Sequence, residues 1–416
     1  MKNISKLAIA LAGVAGLALS AESAQAQLVL NGTGSSAGRQ FAGNSPALLC
    51  DAAPTPLLFV SSEGTPNRYE WQCTINGVPN SRVRYSATNS SDGFEKQPPN
   101  AIGTAVFLNT AGCPAGVNVT ILGRTVTRSV CPAATPTQTL PVHWGGSDVQ
   151  ASSLKQTAGG VVQLPPVAGH LTAEPTVVVP FAIVVGANVR QVAPGTNLAS
   201  LTIHELRQML DPAVAPGGLW TDFGYDTTTA NKVMTVCQRQ GGSGTIAALD
   251  QTVMLNPYLG VPAYRGVSNP SSSNVVACIN SNPNSIGYID SDSVNATNFP
   301  LGAYQVRIGG QQVNDPTIPV VGLGLNRVTA LRCGRYPYWA NWNFITRANT
   351  QAPPISAVPG TNQALLDLQT TMLANNPLPG FWVGLDDMFV FKNQDRGPHN
   401  WQGTSNNGDS ASATCN

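Results

Sequence analysis

The residues best placed to do chemistry in this chain lie at Arg239-Gln240-Gly241-Gly242-Ser243-Gly244-Thr245. An apolar run from Val233 to Cys237 precedes them as a predicted strand, and Ile246, Leu249 and Val253 follow on one face of a predicted helix. Small residues at a strand-to-helix turn let backbone N–H groups point at a bound anion, and the helix N-terminus adds a favourable dipole. Ser243 and Thr245 add hydroxyl donors, and Arg239 adds a charged, two-pronged one. Taken alone, such a loop also reads as a plain turn. Three more predicted strand ends carry residues of the same kind. Gly32-Thr33-Gly34-Ser35-Ser36 follows Leu28-Val29-Leu30, Asn89-Ser90-Ser91-Asp92-Gly93 follows a strand over 81–86, and Gly145-Gly146-Ser147-Asp148 follows Val142-His143-Trp144. Each also has a bland reading: Ser36 as a turn residue, Ser90 and Ser91 as helix caps, Asp148 as a cap or turn residue, Arg239 paired with a surface carboxylate.

The elements that must position these loops alternate in type. Thr176 to Val185 is almost wholly apolar and β-branched, which predicts a strand buried on both faces, as in a parallel sheet. Thr202-Ile203-His204-Glu205 is a capping box, and Ile203, Leu206 and Leu210 make a helical stripe that stops near Pro212. Strands alternating with helices imply an α/β fold. Residues 100–135 read as hairpins, with Ala105 to Leu108 and Val117 to Val130 rich in β-formers. Beyond Lys392 the chain is polar and loop-like, with Cys415 able to pin it.

Residues 1–26 read as a secretory signal peptide. Lys2 and Lys6 form the basic start, Leu7 to Leu19 the apolar run, and Ala24-Gln25-Ala26 the cleavage site, so that the mature chain begins at Gln27. That run is too short to span a membrane, and no later segment reaches the ~18 continuous apolar residues of a membrane-spanning helix. The expected product is periplasmic or secreted. The 416-residue chain has 22 basic and 21 acidic residues, and the mature part is close to neutral. Charged residues make up only 10%, so an anion site here must rely on local dipoles and one or two charges, and nothing points to nucleic acid. Eight cysteines in an oxidising compartment imply four disulfides, and neighbour pairing is the simplest arrangement: Cys50–Cys73, Cys113–Cys131, Cys237–Cys278 and Cys333–Cys415. His143, His170, His204 and His399 are scattered, and no Cys/His spacing argues for a metal.

In their order along the chain the four loops resemble those of the phosphate-binding periplasmic proteins of ABC phosphate importers. These are type II substrate-binding proteins, with two α/β lobes, a hinge and an interlobe cleft. Gly32-Thr33-Gly34-Ser35-Ser36 matches the family's Gly-x-Gly-x-(Ser/Thr) loop, and Asn89 to Gly93 its second, Ser- and Gly-rich loop. His143 to Asp148 matches Asp-Phe-Gly-x-Ser-Asp in part, and Arg239, Gly242, Ser243, Gly244 and Thr245 match Arg-x-x-Gly-Ser-Gly-Thr in full. Ile286-Gly287-Tyr288 and Gly334-Arg335-Tyr336-Pro337 resemble further segments. Gly241 stands where the family commonly has Asp, Asn89 where it has Gly, and Ala37 where it often has an aromatic.

The resemblance implies a first lobe of residues 27–180 plus 290–416 and a second of 181–289. Cys-bearing insertions fall near 42–80 and 98–138. It implies phosphate ligands at Ser36, Ser90, Ser91, Asp148, Arg239, Ser243, Gly244 and Thr245, with Asp148 accepting the proton that phosphate carries and sulfate lacks. It further implies a monomer that hands inorganic phosphate to an ABC permease, with no catalysis, cofactor or metal. Two other readings stand beside it. One is a secreted surface or interaction protein on the same scaffold, binding another oxyanion or no small ligand. The other is a hydrolase, since Gly34-Ser35-Ser36-Ala37-Gly38 has the Gly-x-Ser-x-Gly form of a nucleophile elbow, with Asp250, Asp290 or Asp386 and His399 as nominal partners.

Overall fold

The computed structural model describes residues 27–61, 66–154, 164, 167, 169–192, 195–211, 218–255, 267–315, 317–322, 324–347, 358–374, 380–396, 400–401 and 414–415. The expected signal peptide and His399 lie outside them. A mixed sheet of 15 strands organises the chain. Its main path uses β1 (Val29–Ser35), β2 (Leu57–Ser61), β3 (Arg68–Ile75), β4 (Val78–Thr88), β5 (Val117–Ile121), β6 (Arg124–Cys131), β7 (Trp144–Ser147), β8 (Leu171–Val185), β9 (Thr235–Arg239), β10 (Val267–Asn269), β11 (Ser285–Asp290) and β12 (Trp339–Arg347). Their order in space is β10-β9-β11-β8-β12-β7-β1-β4-β3-β2-β6-β5. Helices lie against it, among them α1 (Arg39–Asn44), α2 (Asp92–Glu95), α3 (Ile203–Leu210), α4 (Gly244–Leu249), α5 (Ser272–Ser281) and α6 (Thr361–Ala374). This is an α/β fold.

Two sectors of the sheet are parallel. In one, β1 lies between β4 and β7, parallel to both. In the other, β9 lies between β10 and β11, again parallel to both. Parallel strands release their following loops at one edge, so each sector presents a row of strand-end loops on one side. The long strand β8 connects the sectors. Its first part, Leu171 to Pro180, pairs with β12, and Phe181 to Val185 pairs with β11. Both pairings are antiparallel, against the parallel setting expected for this run. The apolar sequence reported burial on both faces, which β8 has throughout from Thr176, but burial carries no information on strand direction. Tyr304–Ile308 pairs with the end of β8 and with Ser200–Leu201.

The glycines of β1 and β7 make room for an aromatic core. Trp144 stacks between Tyr85 and Phe344, with ring centres 5.2 and 5.1 Å away. A Cβ on Gly32 would fall 2.1 Å from the Trp144 ring, so only glycine fits beneath it. Each such ring pair adds roughly 0.5–1.5 kcal/mol beyond its buried area. The helix α3 has the capping box the sequence predicts, Thr202 and Glu205 bonding reciprocally. All four expected disulfides are present. Cys50–Cys73 and Cys113–Cys131 fasten the insertions, whose strands β2, β3, β5 and β6 extend the sheet beyond β4. Among the described residues no helix is long and apolar enough to cross a membrane.

Candidate functional site

The four predicted loops come together. Ser36 leaves β1, Ser90 and Ser91 leave β4, and Asp148 leaves β7, all at one edge of the first parallel sector. Arg239 ends β9 in the second sector, and Ser243, Gly244 and Thr245 lead into α4. The seven side chains of this set are each at most 4% exposed, and Gly244 is buried with them. The Ser91 N–H donates to the Gly242 carbonyl at 3.0 Å, which ties the second loop to the fourth. A Cβ on Gly244 would meet Ser90 Oγ at 2.3 Å and Asp148 Oδ2 at 2.6 Å, so three loops converge within one side-chain width.

Arg239 is the cationic centre. One guanidinium nitrogen donates to the hydroxyls of Ser272 (3.1 Å), Ser36 (3.2 Å) and Thr245 (3.4 Å), and another to the Pro270 carbonyl at 3.3 Å. Tyrosines hold the loops around it. The Arg239 N–H donates to Tyr288 Oη, Tyr338 Oη donates to the Thr245 carbonyl, and Tyr85 Oη donates to the Ser35 carbonyl. Among the described residues, Arg239 Nε and Ser243 Oγ are buried with no hydrogen-bond partner, whereas buried polar groups are normally satisfied.

Asp148 is the acceptor. Its carboxylate takes hydrogen bonds from Ser35 and, at 3.1 Å, from Ser90. Burial pushes it up to about 6, while the two serine hydroxyls and the Arg239 charge pull it back down. Burial pulls the Arg239 guanidinium below its ordinary value, with Asp290 and Asp148 offsetting part of the effect.

Sequence reasoning missed several neighbours. Ser35, rather than Ser36, bonds to Asp148 and also accepts the Gly38 N–H. Ser272 opens α5 and shares Arg239 with Ser36. Arg39 reaches from α1 to the Ser36 carbonyl, to Asp290 Oδ2 at 3.2 Å and to Ser293 Oγ at 2.8 Å. Both members of the Arg39–Asp290 pair are buried. Burial opposes charge on each, yet the pair prevails, holding Arg39 above and Asp290 below their usual values. Burial and the nearby Asp290 charge raise Asp292. A strand ending Ile289-Asp290 and a Ser271-Ser272 pair opening a helix were the available signals for two of these groups.

Ser36 Oγ bonds to Arg239 and Ser272, not to a histidine, and the nominal elbow partner His399 lies outside the described residues. His143 has a structural place: its Nδ1 accepts the Asn31 N–H, and burial holds the ring down at about 4 and hence neutral. A cavity of about 370 Å³ lies beside the loop cluster rather than in it, between Gln150, Asn341 and Lys392. Converging charge and donors, not volume, distinguish the loop cluster.

No family model matches the sequence. No curated protein matches it. Among solved structures the chain is similar to a putative phosphate ABC transporter substrate-binding protein with bound phosphate from Clostridium perfringens, at 11% identity and a TM-score of 0.47, over 86% of this chain and 99% of that one. It is similar to PstS from Borrelia burgdorferi at 12% identity and a TM-score of 0.35, over 83% and 93%. It is similar at the same level to OxyR of Corynebacterium glutamicum, at 8% identity and a TM-score of 0.36, over 88% and 72%. Overlaps of this size assign no ligand.

Proposed function

We propose that this protein is an exported receptor that captures inorganic phosphate between the loops of its two parallel sectors and delivers it to an ABC permease. The observation that carries the reading is the meeting of Arg239, Ser36, Ser90, Thr245 and Asp148, from four strand ends, at one buried point. A desolvated oxyanion needs many donors, and here hydroxyls, a guanidinium and strand-end N–H groups are all to hand. Asp148 is what selects among oxyanions. Its carboxylate accepts a hydrogen bond from the O–H of phosphate or arsenate, whereas fully ionised sulfate would set two negative charges together, at a cost of roughly several kcal/mol. Two lobes would close about the ion by hinge motion. Four disulfides suit an oxidising compartment outside the inner membrane.

Thermal unfolding of the mature chain, stripped of carried-over anions and held in a buffer without oxyanions, tests the reading. Phosphate present at about a hundred times its dissociation constant stabilises by about 2.7 kcal/mol. A rise in Tm with phosphate and arsenate but not with sulfate is the expected result. Equal responses to phosphate and sulfate, or none to any oxyanion, would count against it.

A further inference from the structure

The cavity of about 370 Å³ lies beside the Arg239 cluster and shares no lining residue with it. It opens between the segment after β7, the edge residues Ala173 and Pro175 of β8, the start of β12, and the segment Lys392–Asp395. Its size falls within the ~300–1,000 Å³ of ordinary small-molecule pockets.

Its chemistry is balanced and rich in amides. Lys392 and Asp395 both line it and are 8% and 6% exposed, yet no ion pair joins them among the described residues. Lys392 Nζ donates to the Trp339 carbonyl at 3.1 Å and lies 3.8 Å from the centre of the Trp339 ring. Asp395 Oδ2 accepts from the Gln150 N–H and from Ser153 Oγ. Asn343 commits both amide protons, to the carbonyls of Ser147 and Asn341, and so presents its Oδ1 as an acceptor. Asn341, Asn393 and Gln394 line the same space, and a side-chain amide carries both donors and an acceptor. Opposite charges that cancel disfavour a charged ligand. Amides that donate and accept in alternation match vicinal hydroxyls, each of which does both. Val167, Ala173 and Pro175 supply an apolar floor for the C–H face of a ring.

We propose that this cavity binds a small neutral polyhydroxyl compound of the mono- or disaccharide class. Burial agrees in direction, lowering the Lys392 ammonium to about 7 and raising Asp395, so that both groups move toward neutrality. The proposal stands independently of the phosphate reading.

Saturation-transfer NMR on the full mature chain, titrated with glucose, galactose, maltose and trehalose, tests it, with acetate and methylammonium as charged comparators. At least one of these sugars is expected to bind saturably and more tightly than either comparator. Loss of one ligand hydrogen bond is worth ~1 kcal/mol, so Asn341→Ala or the exposed Gln394→Ala should weaken that sugar by about fivefold. Gln394→Ala keeps the test valid if Asn341→Ala disturbs folding. No saturable sugar binding into the tens of millimolar overturns the proposal. So does tighter binding of acetate or methylammonium, or sugar binding that both variants leave unchanged.

Discussion

Replacing Asp148 with Asn separates the cost of a buried charge from the benefit of an acceptor. Burial moves this carboxyl from an ordinary 3.8 to about 6 in the folded chain. Between those values the folded protein holds more protons than the unfolded one. The stabilisation is therefore complete below the unfolded value and is lost as pH rises through the folded one. Across the whole window the shift amounts to about 3 kcal/mol, at about 1.4 kcal/mol per pH unit. Between about pH 4.5 and about pH 7.5 it amounts to about 2 kcal/mol, because the unfolded group is already mostly ionised at the lower pH. Urea unfolding of the wild type and the Asp148→Asn variant at these two pH values isolates this share, since the other titrating groups cancel in the double difference. The wild type should lose about 2 kcal/mol more than the variant as pH rises, and the variant should be the more stable of the two near neutrality. Identical pH dependence in both proteins would refute the reasoning, because it would mean that Asp148 is not a desolvated charge. A variant less stable at the higher pH would also refute it, by showing that the bonds from Ser35 and Ser90 outweigh desolvation.

Three further outcomes follow from packing and connectivity. Gly244→Ala drives a methyl against Ser90 Oγ and Asp148 Oδ2, so it should destabilise by about 1–3 kcal/mol in urea unfolding and weaken phosphate in calorimetry. Arg39→Met strands Asp290 in the interior, at an expected cost of about 3–5 kcal/mol, and adding Asp290→Asn should recover much of it in a double-mutant cycle. Replacing Cys237 and Cys278 together by Ala opens a link of 41-residue separation, with an expected loss of about 4 kcal/mol by the chain-entropy relation, read as a lowered urea midpoint.

Local chemistry made the loops legible in the sequence. Ser36, Ser90, Asp148 and Arg239 each lie at or just after the end of a strand in a Ser- or Gly-rich loop, and parallel strands must bring such ends to one edge. The disulfides were legible for a similar reason, since each joins cysteines adjacent in the order of cysteines along the chain. What stayed hidden depends on distance along the chain. Arg39 meets Asp290 251 residues away, and nothing local to either announces the other. Ser35 and Ser36 are neighbours of identical type, so only the three-dimensional placement shows that Ser35 faces Asp148 and Ser36 faces Arg239. The direction of β8 was hidden too, because an apolar run is the same whichever way its neighbours point.

The central claim is that the cluster around Arg239 and Asp148 binds a protonated tetrahedral oxyanion. Isothermal calorimetry of phosphate and sulfate against the stripped mature chain, repeated with Asp148→Asn, tests it most directly. One phosphate per chain, with sulfate much weaker in the wild type and the discrimination reduced in the variant, is the result this account requires. Absence of phosphate binding, or a preference over sulfate that survives unchanged in Asp148→Asn, would contradict it.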